Sequence, residues 1–155
     1  MNSTWVYKRN DCIELPKIVT LTGKMSQKWG KGTMVIPSPN EIDSLIRQVP
    51  AGKVVTQNDL REAIARRHGT TVACPITTGI FTWICAYAAE EERASGIKNI
   101  APYWRVLKTG GLLNEKYPGG AEVQKRRLEE EGLTIVQRGK RLGVFEYDKR
   151  TVRLK

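Results

Sequence analysis

Side chains able to do covalent chemistry are few. The 155-residue sequence holds three cysteines, Cys12, Cys74 and Cys85, and a single histidine, His68. No two cysteines stand at CxxC spacing and three cannot form an even disulfide framework, so three free, mostly buried thiols are expected. A structural zinc site needs four Cys/His ligands, which would have to come from scattered positions; no metal and no cofactor are expected. With one imidazole in the chain, most nucleophile–base pairings are missing. What remains is the chemistry of binding. Trp5, Tyr7 and Trp29 are interleaved among lysines, a setting in which aromatic rings either stack on bases or pack on the body of the fold.

The cationic groups are unevenly placed. Of a net charge of +10, residues 1–32 contribute +4, residues 138–155 contribute +5, and residues 33–137 only +1. A near-neutral body with basic ends points to flanks that touch a polyanion, nucleic acid before all; the alternative is a solvated surface. The length suits one domain with a real core, and the mean hydropathy of −0.41 suits a soluble globular chain. No apolar run approaches the roughly 20 residues of a membrane span, and the N-terminus has no secretory pattern. A cytoplasmic address is expected, nucleoid-associated if the chain binds DNA.

The elements that must position these groups are legible in the punctuation. Residues 1–32 read as a basic N-terminal extension, an arm or irregular segment. From residue 33 a body begins: Ser38-Pro39-Asn40-Glu41 has the form of a capping box with proline at the first helical position. Ile42, Leu45, Ile46 and Val49 follow as one apolar stripe that Pro50 stops. Thr56, with Asp59 three residues on, marks a second helix running to Gly69. A third is expected to start near Thr77 or Thr78 and run towards Gly96, burying Ile80, Ile84, Cys85 and Ala88. Glu90, Glu91 and Glu92 on its last turns would repel phosphate. Ile100 to Leu107 reads as extended, and Ala121 to Glu131 as a fourth helix. The body ends at residue 137, and residues 138–155 form its basic C-terminal hairpin and tail, turned at Arg138-Gly139-Lys140-Arg141. The order of these elements is that of a helix-turn-helix with a terminal β-wing.

Residues 36 to 132 resemble the C-terminal domain of the O6-alkylguanine-DNA alkyltransferases. Where that family has a Val-Pro-x-Gly-Lys-Val-Thr-Tyr-Gly-Asp-like turn, this sequence has Val49-Pro50-Ala51-Gly52-Lys53-Val54-Val55-Thr56-Gln57-Asn58-Asp59. The slot of the Pro-Cys-His-Arg-Val signature reads Pro102-Tyr103-Trp104-Arg105-Val106. Downstream, Tyr117-Pro118-Gly119-Gly120 and Glu131-Gly132 match the family's Tyr-x-Gly-Gly and helix-ending Glu-Gly. The fold this implies is mainly α with a small β component, a winged-helix-like helix-turn-helix domain of the methylguanine methyltransferase C-terminal type.

The departures decide the chemistry the resemblance implies. The family's nucleophilic thiol is replaced by Tyr103, whose phenol, with an ordinary pKa of about 10, stays protonated at neutral pH. The adjacent histidine is replaced by Trp104, so Glu131 has no imidazole to orient. Loss of the cysteine is the mark of the alkyltransferase-like branch, which binds DNA in the minor groove without catalysis, senses alkylated guanine and recruits nucleotide excision repair. The family's turn tyrosine is Gln57 here, its intercalating arginine falls on or near Gly79, and Pro118 replaces a serine whose backbone N–H contacts the guanine oxygen. Phe81 or Trp83 is able to act as an apolar wedge or to pack in the core.

The sequence-derived expectation is therefore a monomeric, non-enzymatic protein that binds double-stranded DNA. The candidate contacts are Thr56, Gln57, Asn58, Thr77, Thr78, Gly79, Arg105, Lys140 and Arg141, with Arg105 equally placed to brace its loop. Tyr103, Trp104 and Tyr117 are the candidates for the former alkyl pocket, either as a closed aromatic core or as a stacking site. The alternatives are an RNA- or protein-binding module on the same scaffold, favoured if that pocket is filled, and a residual alkyl transfer through another cysteine.

Overall fold

The computed structural model describes residues 4–155; residues 1–3 of the basic extension lie outside them. The elements run α1 (Thr4–Asn10), β1 (Lys17–Thr20), α2 (Gly23–Trp29), β2 (Thr33–Ile36), α3 (Pro39–Ile46), β3 (Val55–Thr56), α4 (Gln57–His68), β4 (Val72–Ala73), α5 (Pro75–Ala94), β5 (Val106–Leu107), α6 (Gly120–Glu130), β6 (Ile135–Arg138) and β7 (Arg141–Val144). The architecture is mainly helical with small sheets. β1 pairs antiparallel with β2, which pairs parallel with β4; β3 pairs parallel with β5; β6 and β7 form a hairpin.

Local chemistry explains where the helices start. Thr56 and Asp59 close a reciprocal capping box on α4, with Asp59 N–H donating to Thr56 Oγ1 at 3.2 Å and Thr56 N–H to Asp59 Oδ2 at 2.9 Å. Gly69, at φ +64°, ends the same helix in the left-handed conformation. At α3 the box is only half closed. Ser38 Oγ accepts from Glu41 N–H at 3.2 Å, but the Glu41 carboxylate reaches instead to His68 Nε2 (2.9 Å) and Arg67 (3.2 Å) in the last turn of α4. The single histidine thus ties α3 to α4.

The third helix departs from expectation twice. It begins at Pro75, not at Thr77 or Thr78, because β4 holds the chain extended as far as Cys74, whose N–H continues the ladder to Val35 C=O at 2.9 Å. Proline then suits the first helical position, where no N–H is needed. Its buried face is also not the isoleucine face. Thr78, Thr82, Cys85, Ala86 and Ala89 point into the core, while Ile76 and Ile80 are 72% and 48% exposed. Two threonines can be buried because each hydroxyl is satisfied within the helix, Thr78 donating to Cys74 C=O (2.6 Å) and Thr82 to Thr78 C=O (2.7 Å). A face of small residues lets α5 sit close against α3 and α4, and the bulky isoleucines turn outwards. Cys85 and Ala88 are buried as expected, and Ile84 is half-buried.

Residues 4–32 are not an irregular arm. They form two helices and a sheet strand, and α1 packs along α5. Trp5 meets Trp83 and Tyr87 with ring centroids 4.9 Å away in each case, and Glu91 accepts the backbone N–H of Trp5 at 2.7 Å. Arg9 is buried between Asp43 of α3 (3.4 Å) and Glu92 of α5 (2.9 Å). The end of the chain is also docked: Leu154 lies in the main core beside Ile42, Leu45, Leu60 and Tyr103, and residues 150–151 run along Val54. A smaller core, with Leu107, Leu113, Leu128 and Val144, lies under the hairpin, and Trp104 bridges the two.

Arg9→Ala leaves Glu92 without its cation and Asp43 with Arg47 alone. It is expected to lower stability in urea unfolding by roughly 3–5 kcal/mol, whereas Lys24→Ala, at an exposed position, should stay within about 0.5 kcal/mol. A loss at Arg9 no larger than that at Lys24 would show that the buried Arg9 ion pairs contribute no net stability.

Candidate nucleic-acid interface

The Pro102–Val106 segment forms a tight turn over Tyr103–Arg105 and then enters β5, where Val106 faces Val55 across the parallel pair. The segment is therefore turned before it is extended, unlike the continuous extended run expected from residue 100. Tyr103 is 1% and Tyr117 2% exposed. The Tyr103 ring stands edge-on to both Trp104 and Tyr117 at 5.3 Å. Its hydroxyl donates to Glu90 Oε2 at 2.7 Å, and the Tyr117 hydroxyl to Val106 C=O at 3.0 Å. Burial, reinforced at Tyr103 by the Glu90 carboxylate, pushes both phenols above their ordinary value. Tyr103 and Tyr117 are thus closed into the core, while Trp104 is half-buried and lines a surface pocket with Arg47 and Ile100.

Glu131, at the end of α6, holds the same turn from the other side. It accepts Trp104 Nε1–H at 3.1 Å, Arg105 Nε–H at 3.0 Å and Arg105 Nη2–H at 2.6 Å, while Arg105 Nη1 donates to Val49 C=O at 2.6 Å. Arg105 is a brace, with its fork spent inside the fold. Glu90 collects Tyr103, Arg93 (2.7 Å) and Arg127 (2.9 Å). Burial alone would raise the Glu90 carboxyl, but the Tyr103 hydrogen bond and the two guanidiniums outweigh it and leave the group below its ordinary value.

Other candidate contacts divide by geometry. Thr56 is buried in its capping box and Thr78 has its hydroxyl on Cys74 C=O, so neither presents a donor to the surface. The Thr77 hydroxyl is buried without a partner in the described structure. Asn58 is exposed and bonded to Glu62 at 3.1 Å. Lys140 and Arg141 are exposed at the tip of the β6–β7 hairpin. Gln57 and Gly79 line a groove of about 500 Å³ with Ile76, Ile80, Trp83, Lys108, Asn114 and Lys116.

This groove is what the sequence reading missed. One wall is the outward face of α5, apolar from Ile76 to Trp83; the other is the loop that brings Lys108 and Lys116. Trp83 is fixed by its Nε1–H to Lys116 C=O (3.0 Å), and Phe81 packs against the core, so neither is free to act as a wedge. The available signal was the i, i+4 pair Ile76 and Ile80 opposite a stripe of threonine, cysteine and alanine.

The three thiols are dispersed. Cys85 is fully buried, and burial followed by Asp43 raises its thiol well above the ordinary value. Cys74 caps α5, and Cys12 is half-buried on the N-terminal segment. Among the described residues no group of three or more His, Cys, Asp or Glu side chains is placed to hold a metal ion, and no helix is long and apolar enough to cross a membrane.

A carboxylate with a lowered folded-state pKa adds stability that is complete above its unfolded value and is lost as pH falls through the folded one. Glu90→Gln should therefore destabilise the protein by roughly 1–3 kcal/mol at neutral pH. That deficit should shrink as pH falls through the lowered folded-state value of Glu90, where the wild-type carboxyl becomes protonated too. Urea unfolding across a pH series from neutral into acid checks it; a deficit that does not diminish with falling pH would place its origin outside the carboxylate.

No family model and no curated protein matches the sequence. Two solved structures share its fold. One is a crystal structure of S. pombe Atl1 in complex with damaged DNA containing O6-carboxymethylguanine, 21% identical, with a TM-score of 0.50 over 74% of this chain and 96% of that one. The other is of S. pombe ATL in complex with DNA, again 21% identical with a TM-score of 0.50, over 74% of this chain and 94% of that one. The chain thus shares an overall fold with these two proteins.

Proposed function

We propose that the chain is a non-enzymatic, DNA-binding protein of the alkyltransferase-like type that senses alkylated guanine and helps to bring repair to it. The observation that carries this reading is the groove: an exposed apolar face at the start of α5, opposite Lys108 and Lys116, on the fold of a protein solved with damaged DNA. In this reading α4 and α5 act as a helix-turn-helix that approaches the minor groove. The β6–β7 hairpin acts as a wing whose Lys140 and Arg141 reach phosphate. Residues 33–137 are the DNA-binding body, and residues 1–32 and 138–155 its basic flanks. The protein acts as a monomer in the cytoplasm, associated with the nucleoid, and its downstream partners are nucleotide excision repair proteins.

Absence of catalysis is supported by the state of the old nucleophile slot. Tyr103 is a buried, hydrogen-bonded phenol, and Trp104 and Arg105 occupy the glutamate that would orient a base. The filled slot also favours a second reading, an RNA- or protein-binding module on the same scaffold.

Titration with matched duplexes separates these readings. A duplex containing O6-methylguanine should bind more tightly than its unmodified copy, and both affinities should fall steeply with salt. Equal affinities would remove damage sensing and leave general DNA binding; a flat salt response would remove phosphate contact. Preference for a structured RNA competitor would support the second reading. Intact-mass spectrometry after incubation with O6-methylguanine DNA should show no added methyl group, and a stoichiometric adduct on Cys12, Cys74 or Cys85 would overturn the non-enzymatic assignment.

A further inference from the structure

We infer that Ile76 and Ile80 form a rigid apolar wedge that enters a DNA base step and unstacks it. The inference rests on the DNA-binding reading and assigns to that surface the residues that deform the duplex. Large aliphatic side chains at 72% and 48% exposure on the groove wall leave apolar area in water. Apolar side chains that enter the minor groove work by partial unstacking of a base step, and the kinked duplex then meets more protein surface.

Four features make this pair suited to that task. Ile76 and Ile80 stand at i and i+4, one above the other on a single helix face, so they present one blade. As β-branched residues in a helix they are held near one rotamer, so little side-chain freedom is lost on insertion. Gly79, between them in sequence, carries no side chain, and the space where its Cβ would stand is empty to 4 Å; a backbone or base is able to come close there. The helix beneath is anchored at its far end, where Glu90, Glu91 and Glu92 are bonded to Tyr103, to the start of α1 and to Arg9. The blade therefore stands on a fixed element.

The charge around it selects the occupant. Lys108 and Lys116 face the blade across the groove. Lys108 lies 3.5 Å from Glu115, with Lys108 half-buried and Glu115 exposed, and such a solvent-facing pair is weak enough for a phosphate to compete for the ammonium. A duplex, which presents phosphates on either side of a stack of apolar base faces, matches both the blade and the lysines.

A duplex carrying 2-aminopurine at one central position tests this, because its fluorescence rises when the base is unstacked, while anisotropy of an end label reports binding. The wild-type protein should bind and raise the 2-aminopurine signal. The double variant Ile76→Ala, Ile80→Ala changes only exposed positions and should keep its helical circular dichroism. It should bind about tenfold more weakly, lose the fluorescence rise at saturation, and keep the same slope of affinity against salt, since no phosphate contact is removed. Lys108→Ala with Lys116→Ala should do the reverse, reducing the salt slope while the signal persists at saturation. Wild-type binding without a fluorescence rise, or an undiminished rise in the isoleucine variant, would overturn the wedge and leave DNA binding intact. Failure of the wild-type protein to bind any duplex would overturn the DNA-binding reading and the wedge with it.

Discussion

Three consecutive carboxylates near the end of α5 hold most of the molecule together. Successive residues of a helix are turned by about 100°, so three in a row sweep roughly 200° of its circumference and reach different neighbours. Glu90 faces the Tyr103 turn and Arg127 of α6, Glu91 receives the first N–H groups of α1, and Glu92 grips Arg9. Acids at a helix C-terminus oppose the macrodipole, and their placement is tolerable here because each is matched by a guanidinium, a phenol or a helix N-terminus. The cost of taking these charges partly out of water is offset only while every partner is present.

That constraint divides α5 into two halves with different tasks. The C-terminal half is enclosed by α1, the Tyr103 turn and α6. The N-terminal half is supported from beneath by small side chains and leaves Ile76 and Ile80 outside. Trp83 marks the boundary, touching Trp5 and Tyr87 on one side and the Lys116 carbonyl on the other. The same division explains why the excess charge does not simply coat the ends. Arg9 is consumed in the core and Lys8 and Lys28 lie over the rings of Trp5 and Trp29, while Lys140 and Arg141 remain exposed on the hairpin.

Around the Tyr103 turn, aromatic side chains pack on one another and spend their polar atoms inside the fold. Tyr103, Trp104 and Tyr117 satisfy their polar atoms on Glu90, Glu131 and the Val106 carbonyl. Arg105 completes the closure by bonding both Glu131 and Val49. An open groove lies instead between Gln57, the outer face of α5 and the lysine-bearing loop.

What the sequence alone determined was local. The Thr56–Asp59 box, the Ser38 cap, Gly69 as a helix stop and the hairpin around Gly139 each depend on a few neighbouring residues, and each is present in the structure. The turn at Tyr103 and its bonds to Glu131 were not legible, since residues 100 to 107 read as one extended run. What only the tertiary structure decided was long-range. Glu90 to Glu92 read as a phosphate-repelling surface, because their partners Arg9, Tyr103 and Arg127 lie up to 83 residues away. Ile80 read as core because periodicity counts hydrophobic residues and is blind to a threonine whose hydroxyl is already satisfied one turn back along its own helix. Which face of α5 looks inward was settled by how closely its neighbours approach, and close approach favours the small residues over the large.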